Sequence, residues 1–247
     1  MIYILLPAFN EEDGIERLLE RIHRIQESFD LKLKVIIVND GSMDNTRIVI
    51  ESFKDYLNIE IIDFETNRGI ETVFYEGFKR INELSIDNKD VCITMDSDNT
   101  HNPYYLISIL ERLKKSSEIV IASRFLKGGG MSGVPFYRRI LSNAASYLMI
   151  KFVGIPGVTD YSTFFRGFKI SAIREALKKY GKDFISGEGF SCQVTMLIKL
   201  NKMGYKFEEV PFVLKYYLKE GASGMKILET IKGYLKIIYK NYRGYNS

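Results

Sequence analysis

The chain has 247 residues, 46% hydrophobic and 27% charged, enough to bury a core as one large domain or as a domain with an appendage. That composition excludes a disordered chain. A formal net charge of +4 is mild: it suits phosphates or anionic lipid as partners, and with no nucleic-acid motif present no nucleic acid is expected.

The amino terminus enters an apolar run, Ile2 to Leu6, with no basic region, extended apolar core or small-residue cleavage site, so a cytoplasmic protein is expected. Further short runs rich in β-branched residues follow at Val35–Val38, Ile59–Ile62, Val91–Met95 and Glu118–Ala122. Between them lie helical spacings such as Ile15, Leu18, Leu19, Ile22 and Ile25. This rhythm predicts parallel βαβ units, whose right-handed crossovers bring the loops Pro7–Glu12, Asn39–Thr46, Asn67–Gly69 and Asp96–Thr100 to one sheet edge. Gly128 to Gly133 reads as a mobile loop, and a helix is predicted over about Phe136–Val153 until Gly154–Gly157 stops it. Strands at Thr163–Lys169 and Tyr205–Val213 are expected, with a helix from about Glu188 to Met203 between them. Cys92 and Cys192 read as small buried hydrophobes, so no disulfide is expected.

The tail from Met225 to Arg243 reads as an amphipathic helix with Ile227, Leu228, Ile231, Leu235 and Ile238 on one side and Lys232, Lys236 and Lys240 on another. It suits a membrane surface, with Tyr234, Tyr239 and Tyr242 at the interface, or equally a stripe docked on its own domain. No apolar stretch reaches the ~18 to 20 residues of a transmembrane helix.

The loops carry the chemistry. Asp96 and Asp98 stand one residue apart just past an apolar strand, where open α/β sheets bind ligands. Two carboxylates that close repel each other unless a cation joins them, and a hard divalent ion bridging phosphate oxygens does so. The competing reading is a solvated turn capping the next helix. Asp40 can accept hydrogen bonds from a base or ribose, while Asp44 caps a helix. Phe9 can stack on a base. Neither a Walker A loop nor the dinucleotide fingerprint is present.

Taken together, Leu6-Pro7-Ala8-Phe9-Asn10-Glu11-Glu12, Val38 to Thr46, Asn67-Arg68-Gly69, Met95-Asp96-Ser97-Asp98, Ala122-Ser123-Arg124-Phe125 and Thr159 to Arg166 resemble family 2 nucleotide-sugar glycosyltransferases of the GT-A fold, within them the dolichol-phosphate (polyprenyl-phosphate) mannose synthases. The resemblance implies an α/β fold: a Rossmann-like, mostly parallel sheet flanked by helices, here with a C-terminal amphipathic helix. It divides the chain into a glycosyltransferase domain over 1–215 and a C-terminal loop and basic helix over 216–247. It also implies transfer, with inversion, of a hexose from a nucleotide-diphosphate sugar such as GDP-mannose or UDP-glucose to a polyprenyl or dolichyl phosphate.

By the same resemblance, Pro7, Phe9, Glu11, Asp40, Asn67, Gly69, Asp96, Ser97 and Asp98 form the donor pocket, and Asp96 with Asp98 hold Mg2+ or Mn2+. Arg124, Arg138, Ser142 and Lys215 meet the acceptor phosphate, with Asp98 and Arg124 taken as catalytic. Where relatives carry Gln two residues after the second Asp, this chain has Thr100; where they carry a late Arg and Gly-x-Ser-Lys, it reads Lys215 to Gly224, with Lys215 or Lys219 able to substitute. Asp160 and Glu188 are the candidate bases for a hydroxyl acceptor, Asp160 reading better as a residue that ties loops together. A phosphate acceptor, dianionic at neutral pH, needs no base. The implied setting is the cytoplasmic face of a membrane, reached by the tail or through a membrane-anchored partner. Alternatives are transfer to a sugar hydroxyl, a haloacid-dehalogenase-type phosphatase built on Asp96-Ser97-Asp98-Asn99-Thr100, and a non-catalytic nucleotide-sugar-binding subunit.

Overall fold

The computed structural model describes residues 1–115, 117–187, 189–219 and 227–242. Strands β1 (Ile2–Ala8), β2 (Leu33–Asn39), β3 (Ile59–Asp63) and β4 (Val91–Thr94) are parallel neighbours, in the spatial order β3-β2-β1-β4. Helices α1 (Glu12–Ser28), α2 (Thr46–Ser52) and α3 (Ile70–Leu84) connect them. The sheet continues through β7 (Arg166–Lys169) to β5 (Ile119–Ser123) and β8 (Phe207–Pro211), with β7 antiparallel to both β4 and β5. Helix α4 (Tyr105–Lys115) precedes β5.

Both faces of the sheet are covered, which is why β1 and β2 read as nearly continuous apolar runs instead of alternating ones. Alternate residues of β1 serve different layers: Leu5 packs with Phe74 and Phe78 of α3, and Ile4 and Leu6 with Ile15 and Leu18 of α1. The first layer also takes in α6 (Ile170–Tyr180) and α7 (Cys192–Lys202), through Ile173 and Leu197. Cys92 and Cys192 are both buried and unpaired, as expected.

The structure departs from the sequence reading in several places. Helix α6 was not foreseen, because its apolar residues Ile170, Ala172, Ile173 and Ala176 follow a strand with no intervening breaker. The stretch expected as one strand over Tyr205–Val213 is two, β8 and β9 (Val213–Lys215), divided at Phe212, which turns its ring into the core. The glycine-rich segment expected as a loop forms β6 (Gly130–Ser132), paired in parallel with β9 as a small second sheet. Helix α5 (Phe136–Phe152) ends within a residue of its expected limit.

The tail forms α8 (Ile227–Tyr242) and packs against α5. Its docked face is Thr230, Tyr234, Ile237 and Ile238, so the stripe read from the sequence is divided: Ile238 turns inward, while Ile231 and Leu235 face solvent. Met225 and Arg243 lie outside the described residues, as do the side chains of Ile227, Leu228, Lys240 and Tyr242.

Candidate active site

At the carboxyl edge of β1, β2 and β4 their loops surround a cavity of about 760 Å³. Hydrogen bonds between loops fix its floor. The Asn10 N–H donates to Ser42 Oγ at 2.9 Å and Asn10 Oδ1 accepts from the Met43 N–H at 2.8 Å, while Asn10 itself takes a left-handed φ of 53°, which asparagine tolerates. The Glu11 N–H donates to Thr46 Oγ1 at 2.8 Å. Asp44 accepts from Thr46 N–H and Oγ1 at 3.0 and 2.5 Å, just ahead of α2. Ser97 Oγ donates to the Pro7 carbonyl, tying β4 to β1.

The donor-side residues expected from the sequence converge: Pro7, Phe9, Glu11, Asp40, Asn67, Gly69, Asp96, Ser97 and Asp98 all line the cavity. Asp40 is already occupied by the protein, its two oxygens accepting from the backbone N–H groups of Arg68 and Gly69 at 2.7 and 3.1 Å. It therefore shapes the Asn67–Gly69 loop. Gly41 beside it has φ 73°, and a Cβ there would stand 2.5 Å from the Thr66 carbonyl carbon, so the loops meet only through glycine. Phe9 is 40% exposed and presents an aromatic face at the mouth.

The acid pair is held asymmetrically. Asp98 Oδ1 accepts from the N–H and Oγ1 of Thr100 at 3.1 and 2.6 Å, and Oδ2 from the Lys219 ammonium at 2.7 Å. Burial pushes the Asp98 carboxyl up, but Lys219, His101 and the Thr100 bond outweigh it and hold the group below the usual carboxylate range. Asp96 goes the other way, raised chiefly by burial, with the Asp98 charge adding to it. Glu11 is pushed up to about 8 by burial and then by the Asp98, Asp96 and Asp44 charges, with Lys219 opposing. Glu11, Asp96 and Asp98 outnumber the one lysine beside them, and such a surplus of carboxylate fits a hard divalent ion. Among the described residues no group of three or more His, Cys, Asp or Glu side chains is arranged to hold a metal, so an ion on the acid pair would complete its shell with water or substrate oxygens.

The sequence reading missed His101. Its Nδ1 accepts from the Asp96 N–H at 3.0 Å, which leaves the ring proton on Nε2, 3.3 Å from Asp96 Oδ2. Stacking on Phe165 at 5.1 Å and an edge contact with Phe212 at 5.3 Å lock the ring. The available signal was its position, three residues after Asp98, in a chain with only two histidines.

Arg124 and Arg138 also line the cavity, whereas Ser142 and Lys215 are not among its lining residues. Strand alternation accounts for Lys215: its neighbours Leu214 and Tyr216 face the cavity and Lys219 reaches it. Arg124 is engaged within the protein. Its Nε and Nη2 donate to the two oxygens of Asp160 at 2.7 and 2.8 Å, and its N–H donates to Asp160 at 3.1 Å. Asp160 thus ties its loop to Arg124, while Glu188 lies outside the described residues. Arg138 Nη1 donates to the Tyr216 hydroxyl at 2.8 Å.

The model of glycosyl transferase family 2 matches residues 3–179. The chain belongs to that family. The phosphatase reading falls with this assignment, and the acid pair follows β4, with three strands before it. This family 2 glycosyltransferase is 27% identical over 239 residues to a dolichol-phosphate mannosyltransferase of Pyrococcus furiosus, covering 97% of this chain and 63% of that one, so it spans under two thirds of that relative's length. It is 30% identical to an uncharacterized protein of Methanocaldococcus jannaschii, covering 95% of this chain and 98% of that one. A polyprenol monophosphomannose synthase of Mycolicibacterium smegmatis is 22% identical, over 84% of this chain and 75% of that one. In fold, the transferase matches a glucosyl-3-phosphoglycerate synthase from Mycobacterium tuberculosis, solved with Mn2+, UDP and glucosyl-3-phosphoglycerate, with a TM-score of 0.63 at 16% identity over 98% of this chain and 78% of that one. The mostly parallel sheet flanked by helices is therefore the GT-A fold.

Proposed function

We propose that this transferase moves a hexose, with inversion, from a nucleotide-diphosphate sugar to a polyprenyl phosphate at a membrane surface. The observation that carries the reading is one cavity lined both by an acid pair, Asp96 and Asp98, and by two arginines, Arg124 and Arg138. Phe9 and the Asn67–Gly69 loop shaped by Asp40 take the base and ribose, and Asp96 and Asp98 face the diphosphate. Mg2+ or Mn2+ held by that pair would offset, as a Lewis acid, the charge that grows on the departing diphosphate. His101 fixes the orientation of Asp96. The acceptor phosphate lies against Arg138, whose planar fork suits two phosphate oxygens, in the positive field of Arg124 behind it; Ser142 stands one helical turn on. A phosphate monoester is largely dianionic at neutral pH and attacks without a base, which agrees with Asp160 being committed to Arg124.

The membrane contact is carried by α5 and α8 together. Only Ser146 and Met149 of α5 are buried, and its outward side carries Tyr137, Ile140, Leu141, Tyr147 and Leu148. Beside it α8 exposes Ile231, Leu235 and Tyr239, with Lys151, Lys232 and Lys236 also exposed. Both helices reach the cavity as well, through Arg138 and Thr230. A bilayer on this face would bring the lipid phosphate to the mouth. Among the described residues no helix is long and apolar enough to cross a membrane.

Incubation with radiolabelled donors and polyprenyl phosphate, then organic extraction, tests the reading: label is expected in the organic phase. Label transferred only to a soluble saccharide points to a hydroxyl acceptor instead, and donor binding without any turnover points to a binding subunit. Arg138→Gln is expected to raise KM for the lipid phosphate roughly tenfold, about one charge-assisted hydrogen bond, with donor binding unchanged by calorimetry. Ile140→Asp with Leu141→Asp is expected to weaken sedimentation with phosphatidylglycerol-containing vesicles by roughly tenfold or more, since each side chain contributes about 1.5–3 kcal/mol when buried. Unchanged sedimentation would place the membrane elsewhere.

A further inference from the structure

A lysine already stands where the acid pair calls for a cation. Lys219 Nζ lies 2.7 Å from Asp98 Oδ2, with the two side chains only 11% and 15% exposed. Asp98 Oδ1 is taken by Thr100, at the position where relatives carry Gln by the resemblance drawn from the sequence. An ion entering at Oδ2 meets the ammonium 2.7 Å from that oxygen, and repulsion between the two cations disfavours both being held there. Lysine suits a temporary occupant, being a compact charge on a flexible four-carbon stem.

Lys219 is also connected to the acceptor wall. It follows a short 3-10 turn, Tyr216–Leu218, which its N–H closes by donating to the Tyr216 carbonyl at 3.0 Å. The Tyr216 hydroxyl is the group that accepts from Arg138. Lys219 and the partner of Arg138 therefore belong to one short turn.

We infer that Lys219 is a resident counter-cation: without donor it neutralises Asp98 and lowers its affinity for a divalent ion, and on donor binding it leaves Asp98 and pairs with the diphosphate. This rests on the nucleotide-sugar reading above and adds a control to it, since metal binds well only together with the nucleotide. No bond is made or broken; one ion pair is exchanged for another.

The test is Mn2+ binding, read from the electron paramagnetic resonance signal of the free ion, for wild type, Lys219→Met and Lys219→Arg, each with and without UDP or GDP. Without nucleotide, Lys219→Met is expected to bind Mn2+ about tenfold more tightly than wild type, within the usual range of coupling between mutually exclusive ligands. Lys219→Arg, which keeps the charge, is expected to stay near wild type. With Mn2+ present, the nucleotide is expected to bind Lys219→Met several-fold more weakly than wild type. Equal or weaker Mn2+ binding by Lys219→Met, or a gain by Lys219→Arg as large as that of Lys219→Met, overturns the inference while leaving the donor reading standing if wild type still takes up nucleotide with Mn2+. Failure of all three proteins to bind Mn2+ with either nucleotide overturns both.

Discussion

Asp98→Ala is expected to abolish transfer, with kcat reduced at least roughly 10³-fold, because a metal's stabilisation of a leaving diphosphate amounts to several kcal/mol and each ~1.4 kcal/mol is a factor of ten. The variant should remain folded. Asp98 lies in a loop whose backbone is held independently by the Ser97 bond to Pro7 and the packing of Gly14, where a Cβ would come within 3.2 Å of Asp98 backbone atoms. Losing the carboxylate also frees Lys219, so residual nucleotide binding need not fall in parallel with turnover. Steady-state kinetics with saturating donor checks this, and near-normal kcat would remove the acid pair from the chemistry.

The second large effect is on stability. Asp160→Asn is expected to cost about 3–5 kcal/mol, the usual consequence of leaving a buried charge without its partner, and so to lower Tm by roughly 10 °C. Asp160 is fully buried and Arg124 nearly so, and the aspartate accepts from Arg124 and Ser162 backbone as well as from the guanidinium. Burial pushes the Asp160 carboxyl up, but Arg124 and those bonds outweigh it and hold the group below the usual carboxylate range. Its folded pKa is thus lower than its unfolded one, so its contribution is present above the ordinary value near ~4 and is lost as pH falls through the lower folded value. Calorimetric scans should show a constant gap between wild type and variant from mildly acidic to neutral pH, closing only below about pH 4. A gap that closes near neutrality, or no gap, would contradict the clamp.

Most of what lies on the first four strands was legible in the sequence, because β-branched runs and polar loops alternate there with little interruption, and each loop ends a strand at the same edge. The convergence of those loops on one cavity was legible for the same reason. Tertiary pairings were not. Asp40 read as an acceptor for a base or ribose, and its oxygens hold the Arg68 and Gly69 amides, contacts made 28 and 29 residues away that no local pattern announces. Arg124 read as a free phosphate grip, while its partner Asp160 lies 36 residues downstream. Lys215 and Lys219 could not be ranked until strand alternation in β9 turned one away and the following turn brought the other back 121 residues to Asp98. The glycine-rich segment was misread because strand β6 depends entirely on a partner some 80 residues on, supplied by β9.

The reversed strand β7 bears on how the protein is made. Ribosomes deliver the chain from its amino end, and the four parallel strands up to Thr94 can assemble as soon as they emerge. One edge of that nascent sheet, β4, then waits for Arg166–Lys169, more than 70 residues later, and β5 cannot join before that piece arrives because β7 stands between them. During synthesis, then, an apolar strand edge bearing Cys92 and Ile93 is open to mispairing, and premature termination after β4 but before β7 should yield fragments that associate with each other instead of remaining monomeric.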